Sequence, residues 1–192
     1  DRASVIALSG LIPGVGKSFI SVNLAVLFAG MGKKVVLIDA DLRKGRLHKE
    51  FGFKRENGLT EVLLGSTPLE TALKPTSVEN MDLIVCGKVP ASPAELLGSA
   101  RYAKLIETLR SQYDIIIVDT PPVVLVTDAM IVCRHSDQGV LVVEYDKHSI
   151  DAIREGLELF TKGAPETLNP SIVINKYVHS KSDGFGYKYG KY

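Results

Sequence analysis

Three short segments of this chain carry residue types that handle phosphate groups. The first, "SGLIPGVGKSF", contains Gly14, Gly16, Lys17 and Ser18. Glycines let a loop turn its backbone N–H groups toward phosphate oxygens, and a following helix adds the positive end of its dipole. The lysine can then reach the β- and γ-phosphates of a nucleotide while the serine binds Mg²⁺. The strict pattern has glycine where this chain has Leu11, but the strand–loop–helix context still predicts nucleotide binding.

The other two segments place carboxylates at the predicted ends of strands. "VVLIDADLRKGR" contains Asp39 and Asp41, and "IIIVDTPP" contains Asp119. Alternation along an extended chain points Asp39 and Asp41 to the same side, toward the expected ligand. Two carboxylates suffice to hold Mg²⁺ through its waters, which leaves a third as a base or an orienting group. An enzyme that only activates water needs fewer carboxylates, so the third carboxylate favours phosphoryl transfer to a substrate hydroxyl.

Alternating strands and helices must position these segments. Short apolar runs without alternation are typical of strands buried on both faces of a sheet, and the stretches between them have helical spacing. This order predicts a doubly wound, mostly parallel α/β sheet with right-handed crossovers, which binds ligands beyond the carboxyl ends of its strands. The predicted strands are residues 5–8, 34–38, 81–85, 115–118, 139–143 and 171–174, and the predicted helices are residues 17–29, 59–64, 94–111, 129–134 and 150–162.

The composition is that of an ordinary globular domain, with 45% hydrophobic and 23% charged residues among 192. The formal net charge of +1 offers no basic surface, so no nucleic acid partner is expected. Cys86 and Cys133 lie far apart without metal-ligand spacing, which favours buried, reduced thiols. No apolar run approaches the roughly 20 residues that cross a bilayer. The chain begins at Asp1 instead of Met, and we interpret it as a domain excised from a longer protein.

The C-terminal segment differs in composition from the rest of the chain. It loses apolar residues and gains Gly, Lys and Ser, so we expect a globular domain over residues 1–178 and a flexible tail over residues 179–192. The tail ends in "GFGYKYGKY", which holds Tyr187, Tyr189 and Tyr192 out of seven tyrosines in the whole chain. Glycines and lysines separate them, so no helical or strand pattern could bury their rings. The tail therefore predicts exposed tyrosines at a mobile chain end.

Together, the three segments resemble the Walker A, Walker A′ and Walker B motifs of bacterial protein-tyrosine kinases, the BY-kinases of capsule and exopolysaccharide systems. "NGLTEVLLG" and "GKVPASPAELL" are similar to linking segments of that family, and most of all to the cytoplasmic domain of Wzc-type proteins. The resemblance implies a P-loop NTPase fold. It also implies an ATP-dependent protein-tyrosine kinase that phosphorylates its own C-terminal tyrosines, with ATP and Mg²⁺ as cofactors.

The resemblance implies a role for each matching residue. Lys17 would neutralise the phosphates, and Asp39 would accept the proton of the incoming tyrosine hydroxyl. Asn175 would lie on the adenine side, although it also fits a turn-forming asparagine. The metal-binding set would be Ser18, Asp41 and Asp119, of which Asp41 is also counted as catalytic with Lys17 and Asp39. The ATP-binding set would be Pro13, Gly14, Val15, Gly16, Lys17, Ser18, Phe19 and Asn175.

For the whole protein, the resemblance implies an assembly at a membrane. The domain would be the cytoplasmic part of a bacterial inner-membrane protein, following a transmembrane and periplasmic region of the same polypeptide. It would form a homo-oligomer, a ring in which a neighbour phosphorylates Tyr187, Tyr189 and Tyr192. A cognate tyrosine phosphatase would be a further partner. Phosphates on clustered tyrosines add negative charge, which would loosen the ring and so regulate polysaccharide synthesis or export.

The chain departs from the family pattern at several positions. Some relatives carry a tyrosine after "RKG" that gates activity through an arginine, whereas this chain has Arg46 and Cys86 at those two positions. The family's oligomerisation helix, E-x-x-R-x-x-R, would precede Asp1. Two alternatives stay open: a ParA/MinD-like ATPase switch that controls dimerisation, and a nucleotide-binding interaction module whose tail is a linker. Against the switch stands Ile12, at the position of its usual additional lysine.

Overall fold

The computed structural model describes residues 3–178, which build a seven-stranded sheet with the strand order β3-β4-β2-β5-β1-β6-β7. The strands are β1 (Ser4–Gly10), β2 (Val35–Asp39), β3 (Lys74–Pro75), β4 (Met81–Ile84), β5 (Ile115–Asp119), β6 (Gln138–Glu144) and β7 (Asn169–Asn175). All pair in parallel except the edge strand β3, which runs antiparallel to β4. The predicted doubly wound, mostly parallel sheet is confirmed.

Helices cover both faces of this sheet. They are α1 (Lys17–Gly30), α2 (Leu47–Glu50), α3 (Leu59–Leu64), α4 (Leu69–Ala72), α5 (Pro93–Leu97), α6 (Ala100–Arg110), α7 (Asp128–Cys133) and α8 (Ile150–Thr161). Along β2, Val35 and Leu37 pack in the core beneath α1 and α2, whereas Val36 and Ile38 pack in the core beneath α3 and α5–α8. Because both faces are buried, the strand has to be apolar at every position, which is the pattern in its sequence.

The strand register brings the three chemical segments to one edge of the sheet. Asp39 at the end of β2 is paired in register with Asp119 at the end of β5. On the other side of β5, Leu8 of β1 lies opposite Asp119, and β1 continues to Gly10 before the phosphate loop. The central strands β2, β5 and β1 therefore deliver their carboxyl-terminal residues side by side, as parallel pairing requires.

One predicted helix is wrong. The stretch 94–111 forms two helices, because Ser99 is extended (φ −75°, ψ 155°) between α5 and α6. Its hydroxyl donates to the carbonyl of Leu96 at 2.7 Å and accepts from the N–H of Tyr102 at 3.4 Å. Serine in this role satisfies backbone groups that a helix end leaves without partners. Ser99 therefore stabilises a break between two helices, although the helical spacing of apolar residues continues through this position.

Three short elements have no counterpart in the predictions. These are β3, α2 and α4, with two, four and four residues. Elements this short contain no full period of apolar residues, so periodicity does not reveal them. Of these, α2 matters most for the site, because it supplies the backbone N–H of Leu47 and the ring of His48 beside Asp39.

The predicted state of the cysteines is confirmed, since Cys86 and Cys133 are both free and buried. Among the helices within residues 3–178, none combines the length and apolar character that crossing a bilayer requires. The expected tail of residues 179–192, with Tyr187, Tyr189 and Tyr192, lies outside the described residues, and the domain boundary at residue 178 stays a prediction.

Candidate nucleotide-binding and catalytic site

The phosphate loop connects β1 to the first turn of α1. Gly14 and Gly16 have φ values of 82° and 90°, in the left-handed region that glycine adopts without steric cost. Gly16 is constrained by space as well, because a Cβ atom there would lie 2.2 Å from Nδ2 of Asn175. Lys17 is the first residue of α1, so the loop opens onto a helix N-terminus. This geometry is the phosphate cradle that the sequence predicts.

Lys17 and Asp119 form an ion pair at the floor of the cradle. The Nζ atom of Lys17 donates to Oδ2 of Asp119 at 2.7 Å, and both side chains are nearly buried. Ser18 donates to the same oxygen at 2.8 Å, and Ser21 donates to Oδ1, also at 2.8 Å. Asp119 is thus held by three donors in this conformation.

Asp41 lies on the wall of an open cavity above this ion pair. Its Oδ1 accepts from the backbone N–H of Lys44 at 2.8 Å, which fixes the turn of the loop. The cavity is lined by Pro13, Gly14, Lys17, Ser18, Asp41, Lys44, Gly45, Arg46, Asp119, Pro122 and Leu125. Ser18, Asp41 and Asp119 present only oxygen atoms, which is the donor set that Mg²⁺ prefers. The arrangement fits a Mg–nucleotide complex.

Asp39, in contrast, does not line that cavity. Its side chain is fully buried, because β2 ends at Asp39 and the following loop folds back over it. A Cβ atom on Gly45 would lie only 2.4 Å from Oδ1 of Asp39. The sequence predicts that Asp39 and Asp41 point together toward the ligand, but in this conformation only Asp41 reaches the open cavity.

Burial and charge change the acidity of Asp39. Desolvation comes first and the adjacent Asp119 second, and together they raise its pKa from 3.8 to about 7, against the opposing hydrogen bond from the N–H of Leu47. That hydrogen bond reaches Oδ2 at 3.1 Å, whereas Oδ1 has no hydrogen-bond partner among residues 3–178. A carboxylate with a pKa near neutrality is matched to general-base catalysis.

Asn175 touches the phosphate loop from the neighbouring part of the sheet. At the end of β7, its Nδ2 donates to the carbonyl of Val15 at 2.9 Å. The next residue, Lys176, donates from Nζ to the carbonyl of Gly14 at 2.6 Å and to Glu144 at 3.1 Å. These contacts tie β7 and β6 to the loop. Asn175 therefore supports the phosphate loop. This role differs from the two predicted from the sequence, an adenine contact and a turn-forming asparagine.

Two residues of the site were not identified from the sequence: Ser21 and Lys176. Ser21 was detectable in principle, because it lies one helical turn after Lys17 in an otherwise mostly apolar helix. Lys176 depends on a positive φ of 57°, which sequence patterns do not indicate for lysine. Phe19, predicted to bind ATP, has a largely exposed side chain, so its backbone is the part suited to that role.

The packing of Gly45 on Asp39 leads to a first prediction. Gly45→Ala should lower both thermal stability and ATP-dependent activity, since its methyl group would meet Asp39 oxygens at 2.4 and 2.6 Å and the Asp41 carbonyl at 2.6 Å. Overpacking costs about 1–3 kcal/mol, or roughly 2–4 °C of melting temperature per kcal/mol for a chain of this size. Calorimetry and turnover rates measure both effects. The control is Gly30→Ala, where a methyl group meets nothing within 4 Å. A melting temperature of Gly45→Ala equal to that of the wild type would contradict the close contact.

An open parallel sheet with a glycine-turned phosphate loop, a helix-starting lysine and strand-end carboxylates defines a P-loop nucleotide-binding domain. Residues 3–174 match the AAA domain family. The kinase domain of the Escherichia coli tyrosine kinase ETK superimposes with a TM-score of 0.87 and 32% identity, covering 98% of this chain and 73% of that one. The tyrosine-protein kinase wzc of Salmonella typhimurium is 35% identical over 189 residues, 98% of this chain. The chain belongs to the AAA domain family and, within it, to the bacterial tyrosine-protein kinases.

The chain spans about a quarter of the length of this wzc protein (26%). The septum site-determining protein MinD of Pyrococcus horikoshii, solved with Mg-ADP, has a TM-score of 0.76 and 26% identity, over 93% of this chain and 72% of that one. The fold is thus shared with a septum site-determining protein, but the identity to the two kinases, at 32% and 35%, is higher than the 26% to MinD.

Proposed function

We propose that this domain transfers the γ-phosphoryl group of Mg-ATP to tyrosine hydroxyls, chiefly those of Tyr187, Tyr189 and Tyr192 at its own C-terminus. The observation that carries the proposal is the pair of carboxylates at the sheet edge. Asp119 is bound by Lys17 and two serine hydroxyls, whereas the adjacent Asp39 has a pKa raised to about 7. One carboxylate is therefore suited to metal binding and the other to accepting a proton.

In this proposal the phosphate loop binds ATP and orients its γ-phosphoryl group. The backbone N–H groups of residues 14–19 would surround the phosphates, and Lys17 would move from Asp119 to the β/γ oxygens. Ser18, Asp41 and Asp119 would hold Mg²⁺, which would neutralise charge on the phosphates. Asn175 keeps the loop in place through the carbonyl of Val15. Catalysis then consists mainly of positioning and charge stabilisation, as is usual in phosphoryl transfer.

The acceptor tyrosine requires a base, which we assign to Asp39. An unperturbed phenol has a pKa near ~10, so its proton must be taken during transfer at neutral pH. Because Asp39 lies beneath Gly45, the loop of residues 41–46 has to move for a phenol to reach its free Oδ1. The loop that buries the carboxylate thus keeps its pKa high until a substrate enters.

The biological setting follows the relatives and is likewise proposed. We infer that the domain is the cytoplasmic part of a bacterial inner-membrane protein with an N-terminal transmembrane and periplasmic region. It assembles as a homo-oligomeric ring and regulates exopolysaccharide or capsule synthesis and export. A cognate tyrosine phosphatase removes the phosphates from its tyrosines. The support is the level of identity to wzc over 98% of this chain.

The ATPase switch remains the second candidate, since MinD shares the fold at a TM-score of 0.76. Under this alternative, the purified chain would consume ATP and change its dimerisation, but no phosphotyrosine would form. The two functions therefore separate in one incubation with Mg-ATP, read for ADP release and for phosphotyrosine together.

Phosphosite mapping after that incubation tests the proposed function, and we predict phosphate mainly on Tyr187, Tyr189 and Tyr192. Tyr102 is fully buried, and the hydroxyl of Tyr113 donates to Asp82 at 2.7 Å, so neither can be delivered to an active site without unfolding. Phosphate concentrated on these two core tyrosines would contradict the assignment of the tail as substrate.

A mixing experiment decides whether transfer occurs between subunits. A Lys17→Met chain with an intact tail is added to an active chain that ends at Val178, and label is expected on the inactive partner. The rate per chain should also rise with protein concentration, because transfer between two chains depends on how often they meet. It should rise further when the upstream oligomerisation helix is restored, because tethering in an assembly raises effective concentration. If the inactive partner stays unlabelled, although the active 192-residue chain labels itself when it is incubated alone, transfer occurs within one chain.

A further inference from the structure

Three donor side chains of different chemical types meet beneath the loop of residues 41–46. They are the carboxylate of Asp39 at the end of β2, the imidazole of His48 in α2, and the thiol of Cys86 after β4. All three residues are buried, and their ligand atoms lie within 4.8 Å of one another. Three separate parts of the chain therefore converge on one point beneath this loop.

Two of the three side chains have unused hydrogen-bonding capacity. Oδ1 of Asp39 and Nδ1 of His48 are buried without a hydrogen-bond partner among residues 3–178. The thiol of Cys86 makes a long contact of 3.8 Å with the carbonyl of Gly45 and also interacts with the guanidinium of Arg55. Buried polar atoms without partners are uncommon in native proteins, because each costs about 1–3 kcal/mol. A ligand that binds these atoms would remove that cost.

The donor set selects the class of ligand. One nitrogen, one sulfur and one oxygen form a set typical of Zn²⁺ and unlike the all-oxygen sites of Mg²⁺. With zinc–ligand bonds of about 2.0–2.3 Å, the ligand atoms of a tetrahedral site lie roughly 3.3–3.8 Å apart. The longest separation in the observed triangle has to contract by roughly 1.0–1.5 Å at most, which side-chain rotation can supply. A water molecule would complete the coordination.

We propose that Asp39, His48 and Cys86 form a zinc site whose occupation inhibits the enzyme. On binding, the Cys86 thiol loses its proton to solvent and its sulfur bonds to the metal as a thiolate, while His48 and Asp39 supply one lone pair each. Asp39 is then unable to accept a proton from a phenol. The metal-binding part stands by itself, whereas the inhibition rests on the proposed function of Asp39 as the base.

The charges around the site are compatible with a divalent cation. Asp119 adjoins Asp39 in the strand register and contributes a further negative charge. Burial and the adjacent Asp39 raise the pKa of the Cys86 thiol to about 12, and the nearby guanidinium of Arg55 opposes that rise as well as the cation. Burial, Arg55 and Lys49 lower the pKa of His48, so its imidazole is neutral and able to bind metal.

This site is separate from the predicted Mg²⁺ site, although both adjoin the same strand end. Ser18, Asp41 and Asp119 take part in the open cavity or its floor, whereas Asp39 lies on the far side of Gly45. His48 keeps 8% of its surface exposed, which offers a route from solvent. The two metals can therefore be distinguished by ligand type and by mutation.

Cobalt(II) provides the probe for binding, because cobalt bound to a thiolate absorbs by sulfur-to-metal charge transfer. We expect this band when Co²⁺ is added to the reduced 192-residue chain, and we expect Zn²⁺ to displace it. Cys86→Ser should remove the band, and His48→Gln should weaken Co²⁺ binding by at least ~10-fold, given that even indirect ligand contacts are worth that much. The matched control is Cys133→Ser, since Cys133 is an equally buried free thiol in α7; it should keep the band.

Inhibition is measured separately, with Zn²⁺ added to autophosphorylation under excess Mg-ATP. Wild type and Cys133→Ser should lose activity, while Cys86→Ser and His48→Gln should resist Zn²⁺ when each is compared with its own metal-free rate. No charge-transfer band, or a band that survives Cys86→Ser, would overturn the zinc site. A band without inhibition in an active enzyme would overturn the regulatory part, and a chain with a band but no kinase activity would overturn the proposed function instead.

Discussion

A Lys17→Met variant is expected to lose phosphotyrosine formation by at least ~10²-fold, comparable to the loss of one preorganised charge-stabilising donor in other enzymes. The ammonium group of Lys17 already points into the cradle, 2.7 Å from Asp119 and 3.1 Å from the Ser18 hydroxyl. Methionine has a similar length and fills the space, but it carries no charge to place on the γ-phosphate. Immunodetection of phosphotyrosine and single-turnover rates measure the loss.

The fold of this variant should persist at reduced stability. Asp119 loses its ion-pair partner but keeps the hydroxyls of Ser18 and Ser21, so the cost should fall below the ~3–5 kcal/mol of an uncompensated buried charge. Adding Asp119→Asn should restore part of that stability without restoring activity. The control is Lys54→Met, because Lys54 is 88% exposed. Wild-type phosphorylation by Lys17→Met would refute the assignment of the phosphate-binding lysine.

The sequence was most informative where a local pattern carries the physics. Apolar runs such as that of β2 predicted strands buried on both faces, and the glycine-rich segment before Lys17 predicted a loop that needs positive φ. Parallel pairing then predicted strand-end carboxylates at one edge of the sheet, and the structure adds that Asp39 is paired with Asp119. For these elements, the tertiary structure imposes no preference that conflicts with the local one.

The sequence was least informative where the site depends on contacts distant along the chain. Asn175 reaches the carbonyl of Val15 across 160 positions, and no local signal distinguishes that contact from a turn. The burial of Asp39 depends on how residues 41–46 fold back, and on α2, which is too short for a periodic pattern. Alternation predicted that Asp39 and Asp41 point the same way, but it assumed an extended chain through Asp41, where the strand has already ended.

The second large effect is expected for Asp39→Asn, which should retain ATP binding but lose tyrosine phosphorylation by about 10²–10⁴-fold, the usual range for a general base. Asparagine is nearly isosteric, and its carbonyl oxygen can still accept the N–H of Leu47 as Oδ2 does at 3.1 Å. Only the capacity to take a proton disappears. Nucleotide binding measured by fluorescence and transfer measured by phosphosite mapping separate the two functions.

The pH dependence of stability gives an independent measurement of the same carboxyl group. Its pKa is about 7 in the folded chain and 3.8 as the ordinary value, so between these values the folded state binds the proton more tightly than the unfolded state. Stability therefore falls as pH rises from about 4 to about 7. Asp39→Asn lacks this fall and should be the more stable protein at pH 8, by at most about 4 kcal/mol, with the difference vanishing near pH 4.

Asp41→Asn is the comparison that decides which carboxylate acts as the base. Asp41 lines the open cavity while Asp39 lies beneath Gly45, so a fixed loop would favour Asp41 on reach alone. If Asp39 is the base, wild-type kcat/KM should fall about tenfold per pH unit below the pKa of Asp39, and Asp41→Asn should keep that profile with weaker Mg²⁺ binding. Full transfer by Asp39→Asn, with a lost pH profile in Asp41→Asn, would instead assign the base to Asp41. The loop of residues 41–46 would then need no movement, because the phenol would meet its base in the cavity that is already open.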